Sequence, residues 1–506
     1  MVDPDMDQVA SSRTPPTASR FKTALLIITT TAAVLVNTIP LINEGHYILT
    51  YSRNVPILDT WGMIPAISTF VSHGHIWWDT IWAPDAEARP VMWRLYYLLS
   101  AKYTAFNVQI IKLTAIPFIA LLLFIYAIII RKTTNIRSVF NIALILLPVS
   151  ILICSVSNWE NLLEEWNVSN ICSISIAITS SLIFSRSMRF DTNRNTWIYF
   201  FLGCIGCTIA SLVGEPGLIA WPACLLLTVL PWSKKRWLRR IIFLLWTLAF
   251  YEVYTNNLIL HHEAIGINVI PQLIQYYLAV LGNGVIGIIH NQPATSLATA
   301  IGISELVILF MLTFSIVKLK YINLEQLRYA FVPIIFGLAA AGLITIGRYS
   351  LGIQFATSSR YEFATSPTAV GIYLLIIAIS TQVYTYHHIR IHTFWKNGRI
   401  NCIRSVFMLT ASVIVGLGLI TGGIVGNVTE APNQPYRLQY WTSLASIACN
   451  SPNISNSLLN EFQFNPPIST KYQLILNDIK LLKLDKLSLF HGNTCNNLKS
   501  ITLPAP

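Results

Sequence analysis

Seven ionisable residues stand where a membrane-bound chain could use them for chemistry: Asp59, Glu87, Arg89, Glu160, Glu215, Arg348 and Arg360. Each falls at the end of an apolar stretch. A carboxylate in a pocket at the membrane surface can take a proton from a hydroxyl as that hydroxyl attacks an electrophile. Partial burial would raise its pKa toward neutrality and suit it to the task. An arginine nearby offers a fixed fork of donors that fits a phosphate. Ionisable residues gathered on one face of a helical membrane bundle are a functional site by default. The competing reading is structural: Glu87 and Arg89 would pair with each other or with backbone and merely orient their loop.

The elements that must position these residues are membrane helices. Of 506 residues only 11% are charged and 54% are hydrophobic, a profile far from that of a soluble domain. Stretches long and apolar enough to cross a bilayer run over 24–42, 107–130, 138–156, 171–185, 196–213, 217–231, 241–256, 297–317, 329–347, 367–386 and 405–425. The expected fold class is therefore an all-α membrane protein of about 11 transmembrane helices. Arg13, Arg20 and Lys22, then Arg131, Lys132 and Arg137, Arg186, Arg189 and Arg194, Lys234 to Arg240, Lys318 to Arg328 and Arg390 to Arg404 alternate with acid-bearing connections. The positive-inside rule makes the basic set cytoplasmic. The N-terminal segment 1–22 is then inside and the region 426–506 outside, with the seven residues on the outer side. The first apolar run lacks a small-residue cleavage pattern and is not read as a signal peptide. The stretch 272–291 would break the alternation and is expected to be an external interfacial or re-entrant segment.

The net charge of +12 is then mainly orientation charge and calls for no nucleic-acid partner. Between the first two spans, the loop 43–106 carries Trp61, Trp77, Trp78, Trp82, Trp93 and short amphipathic stretches such as Met63–Val71. It is expected to lie on the outer surface as interfacial helices. In the tail, a strand-like run is expected at Tyr472–Leu476 and a helical pattern over 479–489. Cys449 and Cys495 could form a disulfide there in an oxidising compartment. Cys204-x-x-Cys207 lies within a span and reads as apolar packing. His73-x-His75 has no partner at metal-site spacing, and no nucleotide-binding or nucleophile-elbow motif is found.

The second outer connection carries Trp159-Glu160-Asn161, where Glu160 and Asn161 could hydrogen-bond sugar hydroxyls or equally cap the next helix. In Gly214-Glu215-Pro216-Gly217 the glycines and proline suffice for the turn, which leaves the Glu215 carboxylate available for function. Arg348-Tyr349 and Ser359-Arg360-Tyr361 bring two arginines to the outer leaflet, suited to generic headgroup phosphate or to one specific lipid-linked substrate.

Together these motifs resemble, in order along most of the chain, a family of uncharacterised bacterial polytopic membrane proteins related to the GT-C glycosyltransferases. Its "VPxxDxW" stretch is matched by Val55-Pro56, Asp59 and Trp61. Its "NEHR"-like element is met in part by Glu87 and Arg89, and its "WEN" by Trp159-Glu160-Asn161. Its "GL…WP" is matched by Gly217-Leu218 and Trp221-Pro222, its "R…SRY" by Arg348 and Ser359-Arg360-Tyr361, and its tail motif by Leu487 to Phe490. The chain departs from the pattern at Gly62, where the family often has a second acid, and at Ala86 and Ala88, where it has histidines.

The resemblance implies a GT-C-like fold in a bacterial cytoplasmic (inner) membrane. It implies a donor sugar on a polyprenyl phosphate and, as acceptor, a cell-envelope glycan or lipid hydroxyl. Asp59 would be the general base of an inverting transfer, with Glu87 the second choice or an acceptor-binding group. Arg348, Arg360 and Arg89 would hold the donor phosphate; Trp61, Glu160, Asn161, Glu215 and Tyr361 would contact sugar or acceptor. A divalent cation (Mg2+ or Mn2+) is used by some GT-C members, but no dedicated metal ligands are evident. Two alternatives stand beside this. A polysaccharide polymerase or ligase would rely on the outer arginines, and a lipid-linked glycan flippase or transporter would need deep paired acids, for which Glu252 and Glu305 are the candidates.

Overall fold

A computed structural model describes residues 16–85, 88–188, 194–229, 237–258, 267–286, 292–319, 322–391, 398–450, 468–492 and 495. Among the described residues helix is the only regular secondary structure, apart from one isolated β-bridge between Asp85 and Ala88. The helices, in chain order, are α1 (Pro16–Tyr51), α2 (Ile64–His73), α3 (Trp78–Trp82), α4 (Val91–Thr104), α5 (Val108–Leu113), α6 (Ala115–Thr134) and α7 (Val139–Ile153). Then follow α8 (Trp159–Leu163), α9 (Val168–Ser187), α10 (Arg194–Val213), α11 (Ala220–Val229), α12 (Trp237–Thr255), α13 (Ile270–Ile286) and α14 (Gln292–Lys318). The chain continues with α15 (Leu324–Arg348), α16 (Ser359–Ile391), α17 (Gly398–Glu430), α18 (Gln434–Asn450) and α19 (Ile468–Leu484).

Among the described residues, 10 helical stretches are long and apolar enough to cross a membrane, so the chain is a multi-pass membrane protein. They include every expected span except 217–231 and 241–256. The first of these is the short apolar helix Glu215–Thr228. The second is α12, which carries Arg239, Arg240 and Glu252.

Small residues let the helices close on one another, as is common where no hydrophobic force acts between helices. A Cβ on Gly206 of α10 would lie 2.2 Å from the Ser180 hydroxyl of α9, and one on Gly337 of α15 would lie 2.2 Å from that of Thr368 in α16. The α16 span is almost wholly buried and forms the centre, whereas the first span is peripheral. The basic connections gather at the end of the bundle away from the acids. Arg328 donates to the Met188 carbonyl at 3.4 Å and Arg240 to that of Thr228 at 2.9 Å, while Arg239 bonds the Ser187 carbonyl.

Three local expectations are corrected. The stretch 272–291, as far as Ile286, is not a segment outside the bundle. It is one of the 10 apolar helices, with Tyr276, Ala279 to Gly284 buried against α14, α15 and α16. Gly282 and Gly302 make the close α13–α14 crossing, since a Cβ on either would collide with the other helix's backbone. The Tyr472–Leu476 run is part of α19 rather than a strand, because Ile475, Ile479 and Leu482 form a buried stripe at helical spacing. In the loop 43–106, Trp61 and Trp93 are core residues, and only Trp77 and Trp78 are largely exposed, at 75% and 60%.

The tail closes over this loop. α19 packs on α2, the Ser488 N–H donates to the Ala105 carbonyl at 2.7 Å, and its hydroxyl donates to that of Asn54 at 3.1 Å. Cys449 and Cys495 form a disulfide.

Candidate functional site

Asp59 lies in the 3-10 turn Leu58–Met63, between Ile57 and the start of α2. It is exposed. The half-buried acid is instead Asp85, 3.8 Å from the guanidinium of Arg94. Burial, and then the negative charge of Asp59, push the Asp85 carboxyl above its ordinary range, against the pull of Arg94. Glu87 lies outside the described residues.

Arg89 is buried, and its donors go to backbone. Nε donates to the Tyr254 carbonyl at 2.7 Å, and the terminal nitrogens bond the Trp82 and Asn256 carbonyls. Its own N–H donates to the Tyr254 hydroxyl at 3.0 Å. Arg89 therefore clamps the loop between α1 and α5 onto the end of α12, in the bland role weighed for it above. Trp61 is 2% exposed and packs within the core of that loop.

The connection between α7 and α9 is a brace. One carboxylate oxygen of Glu160 accepts from the Ser358 hydroxyl at 2.7 Å, the Ser359 hydroxyl at 2.8 Å and the Arg360 N–H at 2.8 Å. It caps α16, whose N-terminal N–H groups favour a negative charge. The amide of Asn161 donates to the Arg360 carbonyl at 2.9 Å and to the Asn158 side chain at 2.6 Å. Between the two sequence-level readings of Glu160 and Asn161, the geometry is that of a cap, formed on a helix about 200 residues away.

The arginines on the facing segment are less committed. Arg360 donates from Nε to the Ser358 hydroxyl at 3.2 Å, and no described residue hydrogen-bonds or ion-pairs with Arg348. Both are half-buried. Arg348, Arg360, Glu160 and Glu215 are all within electrostatic reach of the Tyr361 hydroxyl, and Glu215 is also within reach of Tyr254, the partner of Arg89. Glu215 opens the 3-10 turn Glu215–Ile219, where Gly217 is required because a Cβ would lie 2.1 Å from the Ala210 backbone.

Asp59 joins the same layer through its neighbours. The Thr60 hydroxyl is 3.2 Å from that of Tyr97, and the Ile57 N–H donates to Glu165 at 2.7 Å. Glu165 pairs with Lys112 at 3.7 Å, both side chains fully buried, and Glu164 lies within reach of Arg360. The burial of Glu164 beside other acids is visible only once the chain is folded.

Burial, then the neighbouring carboxylates Glu160 and Glu165, push the Glu164 carboxyl up to about 8, against Arg360 and Lys112. Folding therefore retains a proton that the unfolded chain releases near 4.5. Stability is unaffected at lower pH, falls as pH rises from there to about 8, and is level beyond. Glu164→Gln is expected to remove this slope, raising the melting temperature at pH 8 by an amount equivalent to about 2 kcal/mol and leaving it unchanged at pH 4.5. Thermal scans across pH check this. A variant with the wild-type slope would clear Glu164 of the effect.

Among the described residues, no three His, Cys, Asp or Glu side chains form a metal-holding group. Asp85, within electrostatic reach of Asp59, is held by Arg94, which competes for the charge a cation would need. Glu252 is exposed and Glu305 is buried beside Tyr277, so they do not form the deep facing pair a transporter would need.

Neither a family model nor a curated protein sequence matches the chain. Among solved structures, the chain is similar to archaeal oligosaccharyltransferase AglB from Archaeoglobus fulgidus, in complex with an inhibitory peptide and a dolichol-phosphate. The TM-score is 0.40 and the identity 12%, over 89% of this chain and 61% of that one. The chain thus spans less than two thirds of the length of the protein it matches.

Proposed function

We propose that this protein is an integral-membrane glycosyltransferase of the GT-C type. It moves a sugar from a polyprenyl-phosphate donor to a cell-envelope glycan or lipid acceptor at the outer face of a bacterial cytoplasmic membrane. The observation that carries the reading is the pair Arg348 and Arg360, half-buried with only the Arg360 Nε and backbone engaged, at the same end of the bundle as the acid-bearing turn of Asp59.

In the proposed reaction Asp59 accepts the proton of the acceptor hydroxyl. The hydroxyl oxygen forms a bond to the anomeric carbon as the bond from that carbon to the phosphate oxygen breaks. The electron pair leaves with polyprenyl phosphate, and the anomeric centre inverts. Arg348 and Arg360 stabilise the charge that grows on the leaving phosphate. Glu160 and Asn161 act through Arg360 as positioning residues, Glu215 meets sugar hydroxyls, and Glu87 is the second candidate base.

The test is turnover of polyprenyl-phosphate sugars by the purified protein in nanodiscs, with native envelope lipids as acceptor. Release of free polyprenyl phosphate that depends on acceptor supports the transferase. No release with any donor would remove it, and lipid flipping would then be assayed.

A further inference from the structure

α13 brings to the two arginines a side chain that no motif identified. Tyr276 is fully buried and its hydroxyl has no hydrogen-bond partner; the same holds for the hydroxyl of Tyr361, 7% exposed. Arg348 and Arg360 are within electrostatic reach of both hydroxyls, and the two tyrosines of each other. Two turns along the same face of α13, Asn283 donates its amide to the Ser358 carbonyl at 3.0 Å. Ser358 in turn receives the Arg360 Nε, so α13 also fixes the direction of that guanidinium.

A buried hydroxyl without a partner is costly, and native proteins rarely keep two side by side. Within electrostatic reach of them are the two guanidinium ions, each other's phenol and, for Tyr361, the carboxylates of Glu160 and Glu215, yet neither hydroxyl is hydrogen-bonded by any of these. Glu160 is occupied by Ser358, Ser359 and the Arg360 N–H. What the two hydroxyls and the two guanidinium ions share is the need for one partner that only accepts hydrogen bonds, carries negative charge and has several oxygens. A phosphate meets all three conditions.

We infer that Tyr276 and Tyr361 complete, with Arg348 and Arg360, a four-sided phosphate cradle whose ligand is the phosphate of a polyprenyl-linked sugar. This rests on the donor reading above and adds α13 to the site. Both hydroxyls are covered, so the phosphate reaches them when the 3-10 turns Tyr349–Leu351 and Ile353–Thr357 shift. Between those turns stands Gly352, at φ +96°, a backbone angle that favours glycine.

The test measures binding in neutral-lipid nanodiscs by native mass spectrometry and by ligand-induced change in melting temperature. The probes are polyprenyl phosphate, uncharged polyprenol, phosphatidylglycerol and inorganic phosphate. Polyprenyl phosphate is expected to bind and polyprenol not. Tyr276→Phe and Tyr361→Phe are each expected to weaken binding at least tenfold while melting, without ligand, at or above the wild-type temperature. Removing an unpartnered hydroxyl relieves the unligated fold, whereas a tyrosine needed for packing alone would change neither affinity nor its phosphate dependence. Arg348→Gln, at a half-buried position, gives the same loss of binding without touching the core.

Wild-type affinity in both phenylalanine variants would overturn the cradle. Tyrosine-dependent binding of inorganic phosphate would support it. Equal, tyrosine-dependent binding of phosphatidylglycerol would overturn the lipid-linked sugar as its ligand. Tyrosine-dependent binding of polyprenyl phosphate without turnover of any donor would sink the transferase alone, and turnover indifferent to both hydroxyls would sink the cradle alone.

Discussion

Asp59→Asn is expected to lower kcat for sugar transfer by about a hundred- to ten-thousand-fold, which corresponds to roughly 3–5 kcal/mol of barrier. The melting temperature should not change. Asparagine keeps the shape of aspartate but cannot accept the proton of an attacking hydroxyl. Asp59 is exposed in a short turn, so the substitution leaves the packing of the core in place. The same substitution removes the negative charge that raises Asp85, so the Asp85 carboxyl should move down toward its ordinary range. Single-turnover rates with saturating donor separate chemistry from binding. An Asp59→Asn protein with wild-type kcat would take Asp59 out of the mechanism and favour a polymerase or ligase carried by the arginines.

The largest effect on stability is expected at Lys112. Its ammonium and the Glu165 carboxylate are 3.7 Å apart, both fully buried. The ammonium also donates to the Arg53 carbonyl at 3.3 Å and lies 4.1 Å from the centre of the Trp441 ring. It thus joins α5, the connection between α8 and α9, and α18. Removing one member of a buried ion pair leaves an uncompensated charge and costs about 3–5 kcal/mol. Lys112→Ala should show that loss in thermal or denaturant unfolding, together with easier proteolysis of α18 and α19. Lys112→Met combined with Glu165→Gln removes both charges and should recover most of it. Equal losses in the single and double variants would show that packing, rather than charge, holds this junction.

The helices were largely legible in the sequence because a span needs only about 20 consecutive apolar residues, a local property. The end at which the acids gather was equally legible, since charge avoids the lipid interior and must fall between spans. Where the pattern was short or served two readings, it misled. The alternating Tyr472–Leu476 run also carries the i, i+4, i+7 stripe of Ile475, Ile479 and Leu482, and packing against α2 selects the helix. The stretch ending at Ile286 looked external by charge counting alone. Its glycines and small residues gain their meaning only from α14 and α16 pressing against them.

By itself, then, the sequence determined a multi-pass helical bundle, the set of ionisable residues at its ends, and the order of motifs that suggests sugar transfer. Only the tertiary structure decided what each of those residues does. Arg89 became a clamp because Tyr254 and Asn256, more than 160 residues away, supply its carbonyl partners. Glu160 became a cap because Ser358, Ser359 and Arg360 fold back onto it, whereas Arg348 keeps its donors. Tyr276 entered the site because α13 lies inside the bundle. A hydrogen-bonding group is spent or available according to its neighbours in space, and no local spacing encodes neighbours so distant along the chain.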